Sequence, residues 1–296
     1  MLNDHSIDAD RMRSYSSAFS RGAIMDVIRF NDFSHLSWVY NHYDKDLVHV
    51  DSYFDYLRLM YEALSSDYRC EYVYKNEVIR SLLAKYGTRN TAIFNEFKVG
   101  KSIADLVFIN GESRAFEIKT DLDTPNRLEK QISDYRKVFD ACYIVIPDNR
   151  YQQYAETIAP ETGIITMSQV GKKLALEEKR RAIKNETIDV DVLMNIFHTD
   201  EYKRLIIQEF GALPPVPGHE MYDACREMMQ EIPLQKLKSF FHDTLKRRKS
   251  NTSLLKKAPM EFRQMFLSLG LDEKGVETLL QRLNTRLGLF MWVSDN

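Results

Sequence analysis

Residues 102–120, SIADLVFINGESRAFEIKT, constrain the fold more tightly than any other stretch of the chain. Two runs of alternating apolar and polar residues flank an Asn110-Gly111 pair, the pattern of a β-hairpin. Glu117 and Lys119 are two apart and share a strand face. Where Asp105 points depends on the turn. A two-residue loop, Asn110-Gly111, pairs Ile109 with Glu112 and turns Asp105 away from Glu117. A three-residue loop, Asn110-Gly111-Glu112, pairs Ile109 with Ser113, which sets Asp105 opposite Glu117 and Ile103 opposite Lys119. Only the second register sorts the hydrophobic residues, with Ala104, Leu106, Phe108, Phe116 and Ile118 on one face. Asp105, Glu117 and Lys119 then share the other face with Ile103, Val107, Ile109 and Ala115. A slip of one residue would send every side chain to the wrong face, so the three-residue loop, a type I turn closed by a bulge, is predicted.

Two carboxylates and a lysine among Ile, Val and Ala are costly to bury without partners. Adjacent carboxylates repel, and a cation between them removes the conflict. Oxygen ligands suit Mg²⁺ or Mn²⁺ (or Ca²⁺) rather than Zn²⁺, and Mg²⁺ commonly takes only one or two carboxylates and keeps several waters. Such an ion acidifies a bound water and stabilises charge on a phosphoryl oxygen. Lys119 would then hold the attacking water or neutralise phosphate charge. The plain alternative is an ion-paired strand edge with no metal. In the next helix, TPNRLEKQISDYRKVFD, residues Leu128, Ile132, Tyr135 and Phe139 form one stripe, with Gln131 on its flank one turn before Tyr135. A glutamine and a phenol on a core-facing stripe need hydrogen-bond partners. The carboxylate cluster or a nucleic-acid backbone would supply them; ordinary amphipathic-helix residues are the other reading.

These residues, Asp105, then Glu117-Ile118-Lys119, then Gln131-Ile132-Ser133-Asp134-Tyr135, resemble the core of the PD-(D/E)XK nuclease superfamily, in the branch with a Q-x-x-x-Y motif after the E-x-K strand. The string EIKTDLDTPNRLEKQISDYRKVFD is also similar to a bacterial family of that superfamily known by a locus-tag name. The likeness spans about Glu77 to Ile146. It implies that Asp105 and Glu117, with the main-chain carbonyl of Ile118, bind Mg²⁺ or Mn²⁺. Lys119 would activate water, and Gln131 and Tyr135 would position the strand or assist the site. The first core helix often adds an acid, for which Glu77 is the candidate. Glu77 nevertheless lies opposite the apolar stripe Ile79, Leu82, Leu83, Tyr86, and Glu96 is a second candidate. Asp123 and Arg127 match the bacterial family's D-x-x-x-R-L string. Ile103 stands where the superfamily often has Arg, two residues before the acidic position.

The resemblance implies an α/β fold: a restriction-endonuclease-like αβββαβ core, with a central mixed sheet flanked by helices. The rest of the chain agrees with that order. Residues 71–168 read as the core: a helix YKNEVIRSLLAKYG with Asn76 as N-cap and Gly87 as stop, strands TAIFNEFKV, SIADLVFI and RAFEIKT, and a helix starting near Thr124-Pro125. Strand ACYIVIP, a helix near Tyr151–Ile158 and strand TGIITM follow. Residues 1–70 read as a helical N-terminal extension, with six Lys/Arg against nine Asp over residues 1–60. Residues 169–296 read as a helical, basic C-terminal region, with FGALPPVPGHE (210–220) as a linker. Its charge is concentrated: residues 236–257 hold eight basic side chains and one acidic.

The formal net charge of −2 therefore conceals a basic segment, and it excludes only a uniformly basic binder. No apolar run approaches the roughly 18 residues of a membrane helix, so no membrane partner is expected. The polar, acidic first residues do not read as a secretory signal. Cys70, Cys142 and Cys225 have no zinc-ligand spacing, which points to the cytoplasm, and Cys142 reads as a small core residue. The glycines form no phosphate-binding fingerprint, and His198 and His242 read as surface residues. The leading expectation is a metal-dependent phosphodiester hydrolase acting on DNA more than RNA, with KRRK (246–249), Lys256 and Lys257 gripping phosphates. The alternatives are a catalytically silent nucleic-acid-binding module of the same fold, or a bacterial defence-system protein acting through a protein partner.

Overall fold

A computed structural model describes residues 4–287 apart from 122, 124, 125, 172 and 249, with the side chains of 4–7 left aside. Helices α1 (Asp4–Ala18), α2 (Arg21–Phe30), α3 (Ser34–Val39), α4 (Tyr53–Asp67) and α5 (Glu71–Tyr86) come first. Strands β1 (Ala92–Val99), β2 (Ser102–Asn110) and β3 (Glu112–Ile118) follow, then α6 (Leu128–Arg136), β4 (Ala141–Pro147), α7 (Tyr151–Thr157), β5 (Gly163–Val170) and β6 (Lys173–Arg180). The chain continues through α8 (Val190–Ile196), α9 (Thr199–Phe210), α10 (Met221–Gln230), α11 (Leu234–Arg247), α12 (Arg263–Leu269) and α13 (Glu273–Leu283). The strands form one six-stranded sheet in the order β1-β2-β3-β4-β5-β6. It is mixed: β3, β4 and β5 run parallel and the remaining pairs antiparallel. The α6 crossover makes the first parallel pair possible, since a tight turn cannot join parallel strands.

Each sheet face carries its own core. Leu106, Phe108, Phe116 and Ile118 face α5, the N-terminal helices and, returning from the far end of the chain, α12 and α13. Val107, Ile109, Ala115, Ile144 and Ile146 face α6 and the helices α8–α11. Burying each such side chain contributes roughly 1.5–3 kcal/mol, and together they fix which way the sheet faces. The two ends of the chain meet: Arg282 donates to the carbonyls of Val27 (2.7 Å) and Ile28 (2.9 Å). The C-terminal region is thus divided between both faces, and the 210–220 segment joins α9 to α10 within one helical layer.

Several local expectations are corrected. α5 starts at Glu71 behind Cys70, not at Asn76; Asn76 is buried inside the helix, where its Oδ1 accepts the Gln264 N–H at 2.9 Å. Gly87 does end α5, with a φ of 70°. α6 begins at Leu128, behind Arg127 in the left-handed region; the expected cap at Thr124-Pro125 lies outside the described residues. Residues 173–180, read as helical, form β6. Leu174 and Leu176 share one face at the strand period, between Lys173 and Glu177, and Gly171, at φ 62°, turns the chain back from β5. Cys142 is fully buried, and burial pushes its thiol up to about 12. No helix among the described residues is long and apolar enough to cross a membrane.

Candidate active site

The β2–β3 register pairs Ile109 with Ser113 and Leu106 with Phe116, as the alternation requires, and the ladder extends to Asn110 and Glu112 around Gly111, at φ 72°. The ladder ends at Leu106–Phe116, one position short of Asp105 and Glu117. There the Ile118 N–H, turned toward β2, donates to Asp105 Oδ2 at 2.7 Å instead of to a carbonyl. On the other side of Asp105 the β1 register places Glu96, held at φ 54°. A non-glycine residue in the left-handed region is strained, and such residues concentrate at functional positions. Its effect is visible in the packing: Phe94 and Phe97, three apart, both pack on the α6 side, and so do their partners Val107 and Ala104. The strand alternation breaks at Asp105, so Ala104 leaves the face expected for it.

Glu117 is 2% exposed. Its Oε1 accepts from Lys119 Nζ at 2.7 Å and from Gln131 Nε2 at 2.6 Å. Its Oε2 lies 2.6 Å from the Tyr135 hydroxyl, which also lies 2.6 Å from the Ile103 carbonyl. A phenol has one proton, so Tyr135 donates to one of these at a time. Gln131 and Tyr135 reach the same carboxylate because they are one turn apart on α6. Asp105, Glu117, Lys119, Gln131, Tyr135 and the main chain of Ile118 therefore come together.

Glu77 does not join them. It is 4% exposed, pairs with Arg80 at 2.6 Å, and lines a cavity of about 1280 Å³ between α5 and the N-terminal helices, on the far side of α5. Burial raises its carboxyl pKa, with Arg80 opposing. The acid that α5 sends toward the cluster is Glu71, through a residue that escaped the sequence reading, Lys75. Lys75 Nζ is 2.6 Å from Glu71, 3.6 Å from Asp105 Oδ1 and 3.9 Å from Glu96. A signal existed: Lys75 continues the apolar stripe Ile79, Leu82, Tyr86 one turn upstream, where a lysine has no place unless it is paired. Asp123 caps the start of the following loop, its Oδ2 accepting the Thr120 N–H at 2.8 Å, and Arg127 is exposed.

The electrostatics follow from this arrangement. Asp105 is pushed up to about 7 by burial and then by the charge of Glu117; Lys75 and the Ile118 N–H only partly offset this. Burial works against the Lys119 ammonium, but Glu117 outweighs it and the pKa is raised. Lys75 is raised in the same way, by Asp105 and Glu71. Tyr135 is held in its neutral, donating form by burial and by Glu117. Among the described residues no group of three or more His, Cys, Asp and Glu side chains gathers as a metal cage. The Asp105–Glu117 pair still fits one divalent cation. Its mutual repulsion is only partly offset, and Glu117 Oε2 receives one donor while its Oε1 receives two.

The basic tail behaves differently from expectation. Lys236 pairs with Glu209, Lys238 with Asp140, Lys246 with Asp243, Arg248 with Glu201 and Lys257 with Glu273, the Lys238 and Arg248 pairs withdrawn from solvent and the other three at the surface. Lys249 lies outside the described residues. His242 is no surface residue: its side chain is 13% exposed, with Nε2 2.7 Å from Asp140. His198 is exposed, at the N-cap of α9.

The family model described as Bacteriophage P4 protein cII matches residues 64–266, from the end of α4 into α12. The chain belongs to the phage P4 protein cII family. The site lies wholly within the matched segment. Protein cII of Enterobacteria phage P4 itself is 24% identical over 182 residues, 60% of this chain and 67% of that one. Among solved structures, a Silicibacter pomeroyi protein of unknown function is similar, at 18% identity. It covers 46% of this chain and 89% of its own, with a TM-score of 0.31, too slight a likeness to argue fold.

Proposed function

We propose that this member of the phage P4 protein cII family is a metal-dependent nuclease that hydrolyses phosphodiester bonds, in DNA rather than RNA. The observation that carries the reading is the convergence of Asp105, Glu117 and Lys119, from two strands, with Gln131 and Tyr135, from the helix between β3 and β4. The element order α5-β1-β2-β3-α6-β4 supports a restriction-endonuclease-like core. Asp105 and Glu117, with the Ile118 carbonyl, would hold Mg²⁺ or Mn²⁺. When bound, the ion supplies positive charge against the phosphate and acidifies the attacking water. Lys119, kept charged by Glu117, orients that water and offsets charge developing on the phosphoryl oxygens. Gln131 and Tyr135 fix the Glu117 carboxylate, so it does not reorganise during the reaction.

One observation favours a second reading, a nucleic-acid-binding module without turnover. Glu117 already has donors on both oxygens, from Lys119, Gln131 and Tyr135. Cleavage of plasmid, linear and single-stranded DNA with Mg²⁺ or Mn²⁺, alongside Asp105→Ala and Lys119→Ala, decides between them. The nuclease reading expects metal-dependent cleavage that each substitution reduces by about 10²–10³-fold. Cleavage surviving both substitutions sinks the site assignment. Salt-sensitive binding with no product under any metal supports the silent module.

A further inference from the structure

The flank of α6 next to Gln131 and Tyr135 opens onto a second feature. A cleft of about 830 Å³ lies between the β1–β2 turn, α6 and the junction of α8 and α9. Lys98, Lys101, Lys130, Lys137 and Arg248 line it, with Asp134. Lys130, Asp134 and Lys137 fall on one side of α6 at helical spacing. The charges in the cleft do not cancel. Lys137 answers Asp134 at 2.8 Å, and Arg248 answers Glu201 at 2.5 Å. Burial, which alone would raise the Asp134 carboxyl, is outweighed by Lys137, Ser102 and Lys130, so it stays ionised below the usual range. Lys98, Lys101 and Lys130 are exposed and, among the described residues, engage in no salt bridge. The cleft adjoins the cluster. Ser102 Oγ donates to Asp134 Oδ2 at 2.7 Å, and the Tyr135 hydroxyl reaches the Ile103 carbonyl at 2.6 Å. Adjacent residues of α6 thus bind adjacent residues of β2, one pair in the cleft and the next at Glu117.

We propose that this cleft is the track for a nucleic-acid phosphate backbone leading into the Asp105–Glu117 site, gripped by Lys98, Lys101 and Lys130. The proposal rests on the nuclease reading and replaces the basic tail as the binding surface. Three exposed lysines, none in a salt bridge among the described residues, on the rim of an open groove suit repeated phosphates. Contacts to phosphates carry no sequence information, so a grip made by lysines alone is indifferent to sequence.

The experiment measures binding of labelled single-stranded and duplex DNA by the full chain without divalent metal, between about 50 and 200 mM salt, the range over which phosphate contacts dominate. The triple variant Lys98→Gln/Lys101→Gln/Lys130→Gln is compared with Lys236→Gln/Lys257→Gln. Replacing three phosphate contacts should flatten the slope of log K against log salt by about 2 on single strands or about 3 on duplex. Over that fourfold salt range the wild type should therefore lose roughly 20- to 40-fold more affinity than the triple variant. The tail variant should keep the wild-type slope. Because the three lysines are exposed, the triple variant should melt as the wild type does. An unchanged slope in the triple variant of a chain that binds DNA overturns the track but leaves the nuclease reading standing. Lys119→Ala should bind with little change and cleave about 10²–10³-fold less; if it cleaves as the wild type does, the site assignment fails while the track stands. A wild type that binds with the expected slope but yields no product under any metal sinks the nuclease reading alone. A wild-type chain that binds neither form of DNA, or prefers an acidic protein, overturns the track.

Discussion

The two ends of β3 each lie against an aspartate withdrawn from solvent, Asp140 buried and Asp105 half-buried, and the two are treated in opposite ways. Asp140, next to the start of β3, accepts the Ser113 N–H and hydroxyl at 2.8 Å each and Lys238 Nζ at 3.0 Å, with His242 Nε2 at 2.7 Å. Burial would raise its carboxyl, but these groups hold it well below the usual carboxylate range. Lys238 also donates to the Asn185 carbonyl, so one carboxylate ties β3, the chain before β4, the segment after β6 and α11 together. Asp105, at the other end, has one N–H at 2.7 Å and an ammonium no closer than 3.6 Å, while Glu117 presses on it. A buried charge answered on both oxygens is a staple. One left short of positive charge stores a demand for a cation, and the protein keeps that demand where the strands part.

The comparison can be broken experimentally. The largest effect expected is on turnover: Asp105→Ala or Lys119→Ala should remove about 10²–10³-fold of metal-dependent cleavage with little loss of thermal stability. Asp140→Ala should do the reverse. Leaving Lys238 buried without its partner costs about 3–5 kcal/mol, read as a fall in melting temperature on the order of 10 °C. An Asp140→Ala chain as stable as the wild type would show that the staple is no staple. Asp105→Asn tests the stored demand through pH. The folded carboxyl sits near 7, above its unfolded value, so the folded state holds the extra proton between about pH 4 and 7 and loses stability as pH rises through that window. Without divalent metal, Asp105→Asn should melt a few degrees above the wild type at pH 8, and the gain should vanish at pH 4. A gain that does not change with pH would show that burial and Glu117 do not raise the folded Asp105 carboxyl. The smallest effect belongs to Glu77→Gln. Paired with Arg80 beyond the far face of α5, it should change cleavage less than about twofold, since such a change touches no reacting group.

Much of the site was legible because strands and helices have fixed periods. The spacing of Glu117 from Lys119, and of Gln131 from Tyr135, determines which side chains share a face wherever the elements go. The hairpin register was legible because one slip would have mixed the apolar and charged sets. Lys75 was harder to see: a buried lysine is recognisable only when its partners are known, and Glu71, Glu96 and Asp105 come from three different elements. β6 was misread because its charge content outweighed the alternation of Leu174 and Leu176.

By itself the sequence determined the sheet-and-helix order of the core, the β2–β3 register and the set Asp105, Glu117, Lys119, Gln131 and Tyr135, since local periodicity and turn chemistry suffice for these. Tertiary packing decided which charges are answered. It folded the basic tail back onto Glu209, Asp140, Glu201 and Glu273, turned Glu77 away, and left Lys98, Lys101 and Lys130 without ion pairs among the described residues. Coulomb interactions depend on distance through space, and distance along the chain carries no information about them until the fold is made.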